Sequence, residues 1–236
     1  MITVIGVGPG TISCLTKEAE HELLLADKIF FRTAAHPVYT WLHDLGKQLV
    51  SFDQTYTFKW TRPGEIYEFM VKALLKEASL RGKAIYALPG SPSVLENTTR
   101  LLRLRGEAEG VEIRVIQGLS FLEQAFAAIN LDFSLGLQVL LPLAHLQEGL
   151  YRSDIPLIVC QIEAQSLPLD EPRVDLTMKW LLEKYPSDHL VTLIWTDGLP
   201  AYRTESKAIA LKDLAREYGD GRFFASLYVP PLQRRV

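Results

Sequence analysis

Short β-rich apolar runs alternate with stretches of helical spacing in the first half of this chain, and several of the runs end in glycine or proline. Ile2 to Gly6, Lys28 to Phe31, Gln48 to Phe52, Lys83 to Leu88 and Glu112 to Ile116 read as strands. The first and fourth are almost continuously apolar, as in strands buried on both faces of a parallel sheet. Leu15 to Ala26, Val38 to Leu45, Pro63 to Leu80 and Ser93 to Leu104 read as the intervening helices. Pro63 stands where a first-turn proline is tolerated, and Gly82 stops the long helix. This βαβα order specifies a parallel sheet with helices on both faces.

After Gly118 the pattern changes. Phe121 to Ile129 reads as a helix, followed by strands at Gln138 to Leu141, Leu157 to Glu163, Leu190 to Thr196 and Phe224 to Val229, with a helix at Val174 to Lys184. Tyr202 to Ile209 reads as a further strand, joined by a turn at Asp197-Gly198. Neighbouring strands with a hairpin-like link imply a mixed sheet. The 236 residues suffice for two domains of roughly 100 to 120 residues. We place the boundary near Gln117 to Ser120, giving a parallel-sheet domain at 1–117 and a mixed-sheet domain at 118–236.

Composition narrows the class of function. Cys14 and Cys160 are far apart and form no disulfide framework or paired zinc signature, which suits a reducing cytoplasm. Met1 to Val7 reads as a strand and lacks the basic region and cleavage site of a signal peptide. No apolar run reaches the roughly 18 residues that a membrane span needs. A net charge of -3 provides no global attraction to nucleic acid. Arg100, Arg103 and Arg105 form a local basic cluster, read as a solvated helix face.

Open α/β sheets bind ligands beyond the carboxyl ends of their strands. Three such ends are rich in small and rigid residues: Gly6-Val7-Gly8-Pro9-Gly10, Leu88-Pro89-Gly90-Ser91-Pro92 and Gln117-Gly118-Leu119-Ser120. The first begins like a dinucleotide fingerprint, but Thr11 takes the place of its third glycine. The second strand ends in Phe30-Phe31-Arg32-Thr33, without the acid that holds a ribose hydroxyl. No Gly-Lys-Ser/Thr follows either, so a Walker phosphate loop is excluded. The second loop is stiffer, since two prolines bracket Gly90 and Ser91 and fix the backbone in advance. With Ser93 at the start of the next helix, its positive end would face the same crevice, ready for a carboxylate or a ribose. A purely structural turn is the competing reading.

Other constellations carry less. The five histidines, His21, His36, His43, His145 and His189, lack ligand spacing. Glu18 and Glu22 form an i, i+4 pair read as a solvated helix face. Cys160 lies mid-strand in an apolar run and reads as a small buried hydrophobe. No metal site is expected.

In order, these segments resemble the tetrapyrrole (corrin/porphyrin) methylase family. Val4-Ile5-Gly6-Val7-Gly8-Pro9-Gly10, with Leu15-Thr16, Ala19, Leu23 and Ala26-Asp27, resembles the family's opening signature. Leu88 to Pro92 sits at the family's cofactor loop, Gly118-Leu119-Ser120-Phe121 at its inter-domain segment, and Leu157 to Gln161 and Ser226 to Pro230 at its later cofactor-proximal strands. The family's loop usually carries Gly-Gly-Asp-Pro, whereas Pro89-Gly90-Ser91-Pro92 lacks the acid. Leu140-Leu141-Pro142 is apolar where the closer relatives tend to carry an acid. Arg32-Thr33, His36-Pro37, Phe52-Asp53, Tyr56 and Ser120-Phe121-Leu122 are similar to the methylase-like domain preceding MazG-type nucleoside triphosphate pyrophosphohydrolases. On that resemblance the chain is a free-standing version of the domain or an excised one.

The resemblance implies a two-domain α/β fold with S-adenosyl-L-methionine in the cleft. It implies an S-adenosylmethionine-dependent methyltransferase with a small-molecule acceptor, tetrapyrrole-like or of another class, in a cytoplasmic homodimer. The alternative is a non-catalytic ligand-binding module associated with a MazG-type pyrophosphohydrolase. Pro89, Gly90, Ser91, Val94, Ser120, Phe121, Cys160, Gln161, Ser226, Leu227 and Val229 are its implied cofactor contacts. Gly8, Pro9, Gly10, Arg32, His36, Asp53 and Tyr56 are implied on the acceptor side. The bland readings are that Asp53 and Tyr56 only hold a turn and that Arg32 is a solvated strand end.

Overall fold

The computed structural model describes residues 1–60, 62, 64–134, 136–163, 173–196, 204–219 and 225–232. They fall into two compact units, one ending at Phe121 and the other starting at Leu122.

The first unit contains β1 (Ile2–Gly6), α1 (Lys17–Leu25), β2 (Lys28–Phe31), α2 (Pro37–Asp44), β3 (Gln48–Ser51), α3 (Glu65–Arg81), β4 (Ala84–Leu88), α4 (Asn97–Glu109) and β5 (Ile113–Ile116). The strands are parallel throughout, in the order β3-β2-β4-β1-β5. β1 and β4 occupy interior positions and every one of their residues is buried, as their apolar runs require. Ile5, Val7, Ile29, Phe31 and Ile116 pack with Ala19 and Leu23 of α1 and with Val38 and Leu42 of α2. Met70, Val71 and Leu74 of α3 are fully buried as well.

Local signals set the helix ends. Thr16 caps α1 by accepting from the Ala19 amide at 3.1 Å. Gly82, at φ +74°, ends α3 in the left-handed conformation a C-terminal glycine tolerates. Pro63 lies outside the described residues. Glu18 and Glu22 both accept from Arg114, at 2.9 and 2.7 Å, so this acidic pair ties α1 to β5 and is not simply solvated.

The expected helix from Ser93 is corrected: α4 begins at Asn97. After Pro92 the chain makes a turn, with the Val94 amide on the Ser91 carbonyl at 3.2 Å. Leu95 then takes φ +53°, which breaks a helix. Glu96 caps α4 instead, accepting from the Thr98 amide at 2.9 Å. The helix-end potential read at Ser93 is therefore absent there.

The second unit holds α5, whose first residue belongs to the preceding unit (Phe121–Ile129), then β6 (Gln138–Leu140), β7 (Leu157–Cys160), α6 (Val174–Leu182), β8 (Leu190–Trp195), β9 (Glu205–Ala210), α7 (Leu214–Tyr218) and β10 (Ser226–Val229). The order is β6-β7-β10-β8-β9. β6 and β7 run parallel and the other neighbours antiparallel, so the sheet is mixed. Leu157, Val159, Leu193, Leu227 and Val229 form its core with Leu181, Leu211 and Leu214.

Several strand ends differ from the sequence reading. β6 stops at Leu140, and a π-helical turn follows over Pro142–Leu146. β7 stops at Cys160, because Gln161 takes φ +54° and turns the chain away from the ladder. The described strand β9 starts at Glu205; the Asp197-Gly198 turn and Tyr202 and Arg203 lie outside the described residues, as does Phe224 before β10.

Candidate functional site

The candidate site in the first unit is built from backbone. The loops after β1, β4 and β5 meet at the carboxyl edge of the sheet, because β1 lies between the other two strands. The Val7 amide donates to the Leu88 carbonyl at 2.9 Å. Gly8 and Gly90 then exchange both backbone hydrogen bonds, at 3.2 and 2.7 Å. A Cβ on Gly6 would lie 2.5 Å from Pro92 Cδ, 2.6 Å from the Gly90 oxygen and 2.7 Å from the Gly118 nitrogen. One on Gly118 would meet the Gly6 carbonyl carbon at 2.6 Å and press on the Gly90 oxygen. Only glycine permits this three-way approach. Gly90 differs: at φ +71°, its own Cβ would meet, among the described residues, nothing nearer than the Leu119 oxygen at 4.0 Å. No other described residue crowds that face of the loop.

Side chains brace the knot. The Gln117 side-chain oxygen accepts from the Ser91 hydroxyl at 3.2 Å and from the Ser93 hydroxyl at 3.1 Å. The Ser93 amide donates to the Ser91 hydroxyl oxygen at 3.3 Å. Ser91 is buried and Pro89 exposed, so the loop has a fixed inner side and an accessible outer one. Val94 is half-buried, Ser120 is buried and Phe121 half-buried at the start of α5. Gln117 belongs to this arrangement although the sequence reading gave it no role; its position directly after β5, next to Gly118, was the available signal.

His36 links α2 to the first loop. Its Nδ1 accepts from the Val38 amide at 3.2 Å, so the proton resides on Nε2, which donates to the Gly8 carbonyl at 3.1 Å. Burial lowers its pKa from 6.5, against a smaller upward pull from the Gly8 carbonyl. A neutral imidazole thus fixes Gly8, and with it Gly90. Gly8 and Gly10 are buried and Pro9 half-buried.

Arg32 follows β2 at the same edge of the sheet, its amide on the Ala87 carbonyl at 2.9 Å. It is no solvated strand end. It pairs with Glu96 at 3.3 Å, the two side chains being 14% and 12% exposed. It donates to Thr98 Oγ1 at 2.7 Å and to the Tyr56 hydroxyl, and its guanidinium carbon lies 4.9 Å from the Tyr67 ring centroid. Burial opposes the charge, but Tyr86, Glu96 and Tyr56 outweigh it and hold the pKa well above the ordinary value. Glu96 and Thr98 were invisible as partners because they were read as helix interior.

Asp53 accepts from the Ala34 amide at 2.7 Å and from the Ser51 hydroxyl. Burial would raise its pKa, yet bonds from Ser51, Ala34 and Thr33 hold it below the usual carboxylate range. It joins the loops after β2 and β3. The structure thus brings the loop residues, His36 and Arg32 to one sheet edge, with Asp53 and Tyr56 close behind.

In the second unit Cys160 and Ser226 are paired across β7 and β10, and Leu227 and Val229 continue the ladder opposite Val159 and Leu157. All four are buried, and Gln161 is exposed. Burial pushes the Cys160 thiol up to about 12, with a smaller opposing effect from Ser226. It is the last residue of its strand, not a mid-strand one. Beside it lies buried Glu163, which accepts from the Tyr218 hydroxyl and the Ala225 amide, both at 2.9 Å. A recess of about 430 Å³ opens along the strand end at Trp195, lined also by Glu205, Lys207 and Tyr218. Among the described residues there is no group of three or more His, Cys, Asp or Glu side chains able to hold a metal, and no helix long and apolar enough to cross a membrane.

Residues 1–208 match the family described as Tetrapyrrole (Corrin/Porphyrin) Methylases, and the chain belongs to that family. It is 32% identical over 237 aligned positions to the uncharacterized protein YabN of Bacillus subtilis (strain 168), covering 98% of this chain and 45% of that protein. The chain therefore spans about half the length of this relative. Among solved structures it is similar to the cobalamin biosynthetic enzyme cobalt precorrin-4 methyltransferase, with a TM-score of 0.72 and 16% identity over 97% of this chain and 94% of the other. It is similar as well to uroporphyrin-III C-methyltransferase from Thermus thermophilus in complex with S-adenosylhomocysteine, with a TM-score of 0.66 and 16% identity over 97% and 96%. At these identities the likeness establishes the fold: a parallel sheet followed by a mixed one.

Proposed function

We propose that the chain is an S-adenosylmethionine-dependent methyltransferase of the tetrapyrrole-methylase type, acting on a tetrapyrrole-like acceptor. The observation that carries this reading is the glycine knot. Three loops are locked backbone to backbone, yet among the described residues nothing crowds the outer face at Gly90, a space that one added Cβ would enter. A loop ordered before binding costs little to use. The Ser91 and Ser93 hydroxyls and the Gln117 amide are bonded to one another, so the backbone of the outer face is proposed to meet the polar ends of an adenosyl amino acid. The family's loop acid is missing, so amino-group recognition falls to neutral oxygens.

Pro89, Gly90, Ser91 and Val94 are proposed to hold the cofactor, with Ser120 and Phe121. Cys160, Gln161, Ser226, Leu227 and Val229 are proposed contacts on the family resemblance. When bound, S-adenosylmethionine supplies an activated methyl group open to in-line displacement. The protein's part is to orient the acceptor and exclude water. Gly8, Pro9 and Gly10 are proposed to line the acceptor side; His36 positions Gly8 through its Nε2 hydrogen bond. A cytoplasmic homodimer is part of the same reading.

The competing proposal is a non-catalytic ligand-binding module, such as one serving a MazG-type pyrophosphohydrolase. The two part on turnover. Methyl transfer from labelled S-adenosylmethionine to uroporphyrinogen or a related tetrapyrrole supports the enzyme. Binding without transfer across tetrapyrroles, peptides and nucleotides supports the module.

A further inference from the structure

The guanidinium of Arg32 is engaged through Nη1 and Nε. Nη1 spreads its two N–H groups over Thr98 Oγ1 at 2.7 Å, Glu96 Oε1 at 3.3 Å and the Tyr86 hydroxyl at 3.5 Å. Nε donates to the oxygen of Tyr56. Among the described residues Nη2 has no hydrogen-bond partner, so two of the five guanidinium donors remain. Tyr56 accepts from Nε and keeps its own proton to give. Burial raises the pKa of this phenol, against a smaller downward pull from Arg32, so it stays an O–H donor at neutral pH.

The Nε–Nη2 edge is the one that arginine offers to a planar carboxylate. Here Tyr56 occupies the Nε position and extends it by one O–H. We infer that Arg32 Nη2 and the Tyr56 hydroxyl together form a docking point for a carboxylate of the methyl acceptor, and that this pair selects carboxylate-bearing acceptors. The inference rests on the methyltransferase reading. Three observations support the placement. Arg32 stands at the same sheet edge as the glycine knot, through the bond of its amide to Ala87. Glu96, Thr98 and the Tyr67 ring immobilise the guanidinium, so little order remains to be paid on binding. Glu96 also neutralises one charge, so the cluster suits a monoanion held by direction better than a phosphate dianion.

The test uses the whole chain with uroporphyrin, a polycarboxylate tetrapyrrole, and its carboxamide derivative as probes, followed by tryptophan fluorescence quenching. S-adenosylhomocysteine affinity is measured in parallel by calorimetry. Wild type should bind the acid at least about tenfold tighter than the amide, the scale of a charged hydrogen bond. Tyr56→Phe, which keeps the ring against Arg32, should lose most of that preference, and Arg32→Lys should lose it too. Neither should alter S-adenosylhomocysteine affinity, and pyrophosphate should not compete. Equal affinity for acid and amide, an unchanged preference in Tyr56→Phe, competition by pyrophosphate, or no binding of the acid by wild type would each overturn the inference. Absence of S-adenosylhomocysteine binding by wild type would instead remove the reading beneath it.

Discussion

In the first unit the residues assigned to ligand binding stand beyond the strand ends, where Gly6, Gly90 and Gly118 crowd three loops together. In the second, Cys160, Ser226, Leu227 and Val229 lie within strands and are buried, and only Gln161 reaches the surface. The first arrangement is fixed by how closely backbones approach, the second by how well side chains fill a core. The two should therefore fail under opposite substitutions: one when an atom is added, the other when atoms are removed.

The largest effect is expected in the second unit. Leu227→Ala empties a fully buried site and should cost about 3–5 kcal/mol in urea unfolding. A loss under about 1 kcal/mol would show that this sheet is not packed as described. Gly118→Ala should cost about 3 kcal/mol, since the new Cβ meets backbone that cannot rotate away. Gly90→Ala should cost only about 1 kcal/mol, the strain of φ +71° without a clash. Equal costs at the two glycines would break the distinction between the knot and its open face.

His36 sharpens the contrast through pH. Its folded pKa lies below 6.5, so the unfolded chain takes the proton first. Its contribution is present above pH 6.5 and lost as the pH falls from there through the folded value. His36→Asn keeps a capping side chain but loses the link to Gly8. It should flatten that pH dependence and cost about 1 kcal/mol at neutral pH. An unchanged slope between wild type and variant would detach His36 from the loop. The smallest effect is chemical. Iodoacetamide at neutral pH should label Cys14, which is half-buried, and leave Cys160 unmodified until the protein unfolds. Mass spectrometry of the native protein showing label on Cys160 would contradict its burial.

Much of the first unit was legible because its signals are local. Almost continuous apolar runs located β1 and β4, and glycine and proline marked the three strand-end loops that the structure joins. Gln117 and Glu96 were missed for a different reason. Each acts through a side-chain contact made across the fold, Gln117 with Ser91 and Ser93, Glu96 with Arg32. Glutamate is also a poor helix-cap signal, so α4 was started four residues early. The short end of β7 hid in Gln161, whose positive φ no propensity announces. Arg32, His36 and Asp53, grouped together in the sequence, stand near one sheet edge, but their partners, which depend on burial, were not legible.

Calorimetric titration of S-adenosylhomocysteine into wild type and Gly90→Ala addresses the open glycine face most directly. Saturable binding by wild type, weakened about tenfold or more in a variant that unfolds within about 1 kcal/mol of it, is the expected result. Superimposable isotherms, or no heat from wild type at all, would contradict the account.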